Sequence, residues 1–251
     1  MAWHGPGILP EINATPAKQM GRHRVYKTVE VTETENGFGV ALDGRALHTP
    51  GQSVLLTTVN ALADAVAAEW DAQQEANDPA SMPLTKLLNT TVDRIAPRRT
   101  EIVSELLQFV ATDTLCYRAE SPESLVERQS MIWQPVLDWF AATYGIVLST
   151  GPGLMPVGQS TESVTHMDQV LSSRDDLALT AIQASAALTG SLVLALALVD
   201  QRLSGAEVFA IAQLDETWQM EQWGEDSEAI DRRSSLESDL LSVERFIALQ
   251  R

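Results

Sequence analysis

Residues 177–199 read LALTAIQASAALTGSLVLALALV, and the reading of this stretch decides what kind of protein the chain is. It is almost entirely apolar and small, interrupted by Gln183, Ser185, Thr189, Gly190 and Ser191. A membrane-spanning helix needs about 20 residues of predominantly apolar character, and these interruptions fall short of a clean span. The stretch therefore reads as one helix, buried on all sides at the centre of a bundle. Its flanks agree. Ser204 and Glu207 have the spacing of a capping box. They open a helix in which Val208, Phe209, Ile211 and Leu214 recur at helical spacing. A last helix runs from about Ser227 to Leu249, and Ser163–Leu171 gives one upstream. Between it and the preceding helix lies Gly145–Gln159, rich in glycine and proline and the clearest linker in the chain.

Further upstream the helical pattern continues with different punctuation. Thr58 can cap a helix from about Val59 to Gln74, with Leu62, Val66 and Trp70 on one side and Glu69 and Gln73 beside them. Asn77-Asp78-Pro79 breaks it, and Met82-Pro83-Leu84-Thr85 opens an element that reaches Ile95 before Ala96-Pro97. Ile102–Tyr117 is helical, and Ser121-Pro122 starts a helix to Tyr144 that Pro135 should kink or split.

From Val25 to Thr57 the period changes from helix to strand. Val25, Lys27, Val29 and Val31 alternate with Tyr26, Thr28 and Glu30, and Asn36-Gly37 and Asp43-Gly44 are hairpin signals. Pro50-Gly51 precedes a further short run, Val54–Thr57. The fold class is α+β: a small N-terminal antiparallel β domain followed by a larger α-helical domain. The β-rich part covers 25–58, or extends to about 95, and the helical domain covers 96–251. Residues 1–24 show no periodicity, no secretory signal and few arginines, and read as a flexible tail.

Composition narrows the class of partner. The 251 residues carry 17 basic against 34 acidic side chains, a net charge of -17, which argues against a phosphate-backbone partner. The single cysteine, Cys116, cannot pair internally, which suits a reducing compartment, and its apolar setting makes it an inert buried thiol. Asp113, Tyr117 and Arg118 surround it and are expected to form an ion pair or hydrogen-bonded network. The four histidines are isolated, and no zinc-protease, dinucleotide, Walker or nucleophile-elbow motif is present.

The most unusual local chemistry lies in 214–226, LDETWQMEQWGED. At about 100° per residue, Ile211, Leu214 and Trp218 point at a core. Glu216, Gln219 and Trp223 form an i, i+3, i+7 set on a different face. Two readings stand: Trp223 packs under a neighbouring element with Gly224 only a left-handed C-cap, or the face meets a partner. Glu221 projects toward the apolar stripe and calls for a basic neighbour, with Arg232, Arg233 and the arginines of the first half as candidates. The carboxylates could hold a divalent cation or act as an acid–base pair, but no histidine, phosphate loop or second cluster supports either.

Taken together, the motifs resemble a known family. The ordered set is Val25-Tyr26-Lys27; Leu42-Asp43-Gly44-Arg45 with Thr49-Pro50; Glu69-Trp70 with Gln73; Met82-Pro83-Leu84-Thr85; and Asn89-Thr90 with Asp93. It continues with Asp113 and Cys116-Tyr117-Arg118; Gln129, Trp133 and Pro135; Gly190-Ser191; and Asp215-Glu216, Gln219 and Trp223-Gly224. This resembles the ATP synthase F1 assembly chaperones of mitochondria and alpha-proteobacteria, which bind the alpha subunit of the catalytic head. The resemblance runs from about Arg24 to the C-terminus, with one departure at Gln134, where an acidic residue is expected. It implies a non-enzymatic chaperone without cofactor or metal, in the bacterial cytoplasm or the mitochondrial matrix. That chaperone would bind the free alpha subunit transiently and cover the surface the beta subunit later takes, without contacting nucleic acid or inserting into a membrane. On this resemblance the partner contact falls on Asp215, Glu216, Gln219, Trp223 and Gly224, with Glu69, Trp70 and Gln73 as a second candidate. A stable accessory subunit of a larger complex and a carboxylate-site enzyme are the competing classes.

Overall fold

The computed structural model describes residues 23–153, 157–224 and 227–250 and divides into two compact units, with the boundary between Asn89 and Thr90. The tail expected over 1–24 lies outside the described residues except for His23 and Arg24. Arg24 is fixed: its guanidinium donates to the carbonyls of Asp71 and Gln73 at 2.7 and 2.5 Å. The glycine-rich stretch 145–159 lies within the second unit and divides nothing, and its residues 154–156 are not described.

The first unit is the β-rich one. Strand β1 (Val29–Thr34) pairs antiparallel with β2 (Gly37–Leu42), which pairs with β3 (Arg45–Ala46) and β4 (Leu56–Thr57). Both hairpin signals are used, the first with its loop at Glu35-Asn36, because Gly37 already pairs with Thr34. Gly37 has φ +124°, and a Cβ there would lie 2.5 Å from the Thr57 carbonyl, so only glycine lets β4 approach. At Asp43-Gly44 both residues have positive φ, 49° and 74°, the requirement of a two-residue hairpin loop. The Asp43 carboxylate then accepts from the backbone N–H groups of Lys27 and Thr28 at 2.9 and 2.8 Å. Helix α1 (Asn60–Asp71) packs on β1 and β2 through Leu62, Ala63, Ala65 and Val66. Val59, not Thr58, is its N-cap, and no side chain caps it. The short α2 (Pro83–Thr90) completes the unit.

The second unit is helical. After one π-helical turn (Thr91–Ile95) and a 3-10 turn (Ala96–Arg98) come α3 (Arg99–Thr112), α4 (Glu123–Tyr144), α5 (Thr161–Ser172) and α6 (Asp176–Thr189). These are followed by α7 (Leu192–Val199), α8 (Gly205–Ala212), α9 (Leu214–Trp223) and α10 (Ser227–Ala248). A two-residue parallel pair, β5 (Tyr117–Arg118) with β6 (Gly151–Pro152), ties down the long connection. Helix α4 runs unbroken through Pro135 and is not split. The capping box of Ser204 and Glu207 forms at α8.

The apolar stretch is two helices rather than one, and only the second is buried on all sides; Leu177, Ala178, Gln183, Ala184, Ala187 and Leu188 in the first are half-buried. Gly190 ends α6 in the left-handed conformation, φ +67°, and Ser191 starts α7 as its N-cap. All eight residues of α7 are buried, packed against α4, α6, α8 and α10. No described helix is long and apolar enough to cross a membrane. The break is also held from outside the stretch. Asp113 stops α3 at Thr112, where a helix to Tyr117 was expected, and its carboxylate is fully buried. It accepts from Ser191 Oγ at 2.8 Å, Val193 N at 3.0 Å and Leu115 N at 3.1 Å. It thereby satisfies donors at the N-terminus of α7, where backbone N–H groups have no helical partner and negative charge is favoured. Thr114 N donates to the Gly190 carbonyl at 3.1 Å, and a Cβ on Gly190 would lie 2.7 Å from Thr114 Oγ1.

Burial outweighs these hydrogen bonds and raises the Asp113 pKa to about 6. The unfolded value is 3.8, so folding binds a proton in this range. The contribution is complete below about pH 3.8 and is lost as pH rises through about 6. Asp113→Asn replaces an acceptor by a donor facing a buried N–H and should cost roughly 1–3 kcal/mol at neutral pH. Urea unfolding of both proteins should show their difference narrowing between about pH 4 and pH 6.5 and flat above it. A difference that widens with pH would contradict this assignment.

Candidate functional site

Of the two surfaces singled out in the sequence, one is inside the first unit. Glu69 is buried, and its carboxylate accepts from Leu84 N and Thr85 N, both at 2.8 Å, and from Thr85 Oγ1 at 2.7 Å. It caps α2 from α1. Gln73 is also buried: its amide donates to the Glu69 carbonyl and Ser81 Oγ at 3.0 and 2.9 Å and accepts from Asp78 N at 2.7 Å. Trp70 is half-buried with its ring 5.9 Å from that of Tyr26, whose hydroxyl donates to the Trp70 carbonyl at 2.7 Å. The partner role expected for Glu69 and Gln73 is therefore corrected: Glu69 staples α1 to the start of α2, and Gln73 staples it to the segment before α2. A buried carboxylate needs hydrogen-bond donors, and a helix N-terminus supplies them.

The expected network around Cys116 also resolves differently. Asp113 turns to α7. Tyr117 donates its hydroxyl to the Ala111 carbonyl at 3.0 Å. Arg118 donates to the carbonyls of Leu115 and Gln129 at 3.0 and 3.1 Å and lies 5.5 Å over the Trp133 ring. Three separate sets of bonds replace one trio. Burial pushes the Cys116 thiol up to about 12, so it is protonated and unreactive. Gln134, the residue where an acid was expected, accepts from Arg118 at 3.3 Å.

The second surface is α9. It is a separate helix from α8, broken at Gln213, and only Leu214 is fully buried. Ile211 and Trp218, expected in the core, are half-buried. Helix α4 holds one flank. Gln129 Nε2 donates to Asp215 at 2.8 Å, and Trp133 Nε1 donates to the Ile211 carbonyl at 3.0 Å. Arg128 makes a two-pronged ion pair with Glu221 at 2.6 and 3.0 Å. The basic neighbour of Glu221 is thus Arg128, not Arg232 or Arg233. Helix α10 holds the other flank through Arg233, which donates to Gln213 Oε1 and Thr217 Oγ1 at 3.1 and 3.0 Å. Nothing in the local sequence signals Arg128, because its partner is 93 residues away.

What remains free is the face of Glu216, Gln219 and Trp223, all exposed, with Trp223 75% accessible. This excludes the reading in which Trp223 packs under a neighbouring element. Its ring meets Trp218 edge-on at 5.8 Å and 85°, a favoured aromatic geometry that fixes its direction. Gly224 caps the helix with φ +88° and ψ 173°, outside the expected left-handed helical region but still a conformation suited to glycine. Glu225 and Asp226 lie outside the described residues. The pKa of Asp215 is raised by burial, against the Gln129 bond; that of Glu216 is raised by partial desolvation and the adjacent Asp215 charge, against the fields of Arg233 and Arg232. The Arg128 bond lowers that of Glu221. Among the described residues no group of three or more His, Cys, Asp or Glu could hold a metal ion.

Comparison with known proteins gives the same class. Residues 23–141 match the family model described as ATP12 chaperone protein. The crystal structure of Atp12 from Paracoccus denitrificans is similar at 36% identity and TM-score 0.87, over 91% of this chain and 98% of that one. The crystal structure of the Atu1473 protein from Agrobacterium tumefaciens is similar at 39% identity and TM-score 0.87, over 92% and 87% of the respective chains.

Gln129 joins Asp215 on α9 to Ala119 N, which donates to Gln129 Oε1 at 2.8 Å. Gln129→Ala should therefore leave two part-buried polar groups without partners, at a cost of roughly 1–3 kcal/mol in urea unfolding. Unchanged stability would show that α9 does not depend on this link.

Proposed function

This chain belongs to the ATP12 chaperone family, and on that premise we propose that it serves ATP synthase assembly by binding the free alpha subunit of the F1 head through the outer face of α9. The observation that carries the reading is Trp223. A tryptophan left 75% exposed at the end of a helix held on both flanks, its ring braced edge-on by Trp218, is a rigid aromatic anchor with most of its surface open to a partner. Aromatic anchors of this kind dominate the energetics of protein interfaces, and two neighbouring polar side chains, Glu216 and Gln219, give it a polar rim.

The physical task fits. An unassembled subunit exposes a partly apolar surface that invites aggregation. A shield binds that surface and gives way when the larger, better-packed contact with the beta subunit becomes available. No catalytic step or cofactor enters this reading. It places the protein where the subunits are made and joined, in the bacterial cytoplasm or the mitochondrial matrix.

The test is a pull-down against isolated alpha and beta subunits, with the assembled head as control. Binding to free alpha alone, lost when beta is added, is the expected result. Trp223→Ala should weaken that binding by about 10-fold or more and leave the helical circular dichroism and the melting transition unchanged. No binding to alpha by the unsubstituted protein would overturn the reading. Loss of fold in the variant would show that Trp223 is structural.

A further inference from the structure

Four polar side chains on or next to α9 are already engaged within the chain. Asp215 is bonded by Gln129, Gln213 and Thr217 by Arg233, and Glu221 by Arg128. Glu216 differs. Among the described residues no cationic group lies within ion-pair distance of its carboxylate. Arg233 is turned to Gln213 and Thr217 with its guanidinium 5.1 Å over the Phe209 ring. Arg233 and Arg232 both act on Glu216, but only through their fields. Among the described residues the exposed Glu216 carboxylate is thus held in no ion pair. It shares the free face with Trp223.

We infer that the α9 face is built for a cation: the element of the alpha subunit that covers it presents an arginine or lysine to Glu216 and an apolar hollow to Trp223. This deepens the proposed function and rests on it. The spacing is set by the helix. Glu216 and Trp223 are seven residues apart, so at 1.5 Å per residue the two features of the client lie about 10 Å from each other. Gln219 stands between them, where its amide can meet backbone polar groups of the covering element. A basic group is the complement the chain selects by charge. With 34 acidic against 17 basic residues, an acidic client surface would meet repulsion beyond the contact itself.

The experiment is equilibrium binding of the full chain to isolated alpha subunit over a range of sodium chloride concentrations. The unsubstituted protein, Glu216→Gln, Glu216→Asp and Trp223→Ala are compared. Glu216→Gln should bind about 10-fold more weakly at low salt and with a flatter salt dependence, since one charge pair is lost. Glu216→Asp should retain the salt dependence of the unsubstituted protein. Trp223→Ala should weaken binding at every salt concentration with the slope retained. Glu216→Gln that binds like the unsubstituted protein, while Trp223→Ala is impaired, would overturn the cation and leave the α9 contact standing. The same holds if Glu216→Gln unfolds and the folded Glu216→Asp has lost the salt dependence. Absence of binding by the unsubstituted protein would remove both readings together.

Discussion

One buried carboxylate organises the helical unit. Asp113 ends α3, satisfies donors at the start of α7 and bonds Ser191 from a position without solvent. Gly190 and Ser191 cap the two helices at the break in the apolar stretch 177–199, and the Asp113 acceptor fixes that break against the end of α3. The clasp is tight because Gly190 has no side chain: Thr114 lies where a Cβ would be. A charged group was therefore spent to place the most apolar helix of the protein. Desolvation costs it part of its acidity, and the hydrogen bonds it receives offset that cost only in part.

The α+β class, the order of strands before helices and the burial of the latter part of 177–199 were legible because periodicity and composition are local. So was the outward face of α9, since helical spacing alone separates Glu216, Gln219 and Trp223 from Leu214. What escaped was set by distant residues. The end of α3 at Asp113 is tied to the break at Gly190-Ser191 across the chain, and the contact between them is visible from neither alone. The buried staple of Glu69 and Gln73 was misplaced for a similar reason. A glutamate beside a tryptophan on an amphipathic helix looks like a surface pair until the N-terminus of α2 is seen to bring two backbone donors and the Thr85 hydroxyl to it.

The two places where the sequence concentrates acid, amide and aromatic residues use them in opposite ways. In the first unit Glu69 and Gln73 are consumed by internal bonds, so the cluster is a source of rigidity. On α9 the bonds are made by Asp215, Gln213, Thr217 and Glu221 along the flanks, and they leave the outer face unoccupied. A surface presented in this way keeps a fixed shape with few ordering costs left for the moment of contact. The exposed ion pair of Arg128 and Glu221 adds little stability of its own, but its two-pronged geometry fixes the rotation of α9 about its axis.

The burial of α7 also carries a consequence for the birth of the protein. Its eight apolar residues are covered partly by α10, whose Leu240, Val243, Phe246 and Ile247 close the core and follow α7 in the chain by about 40 residues or more. During synthesis, α7 emerges well before the segment that hides it, and a ribosome-bound chain cannot complete the bundle until α10 has left the exit tunnel. For that interval the nascent protein carries the kind of uncovered apolar surface that invites premature association. A member of a chaperone family thus passes, in its own synthesis, through a stage of uncovered apolar surface.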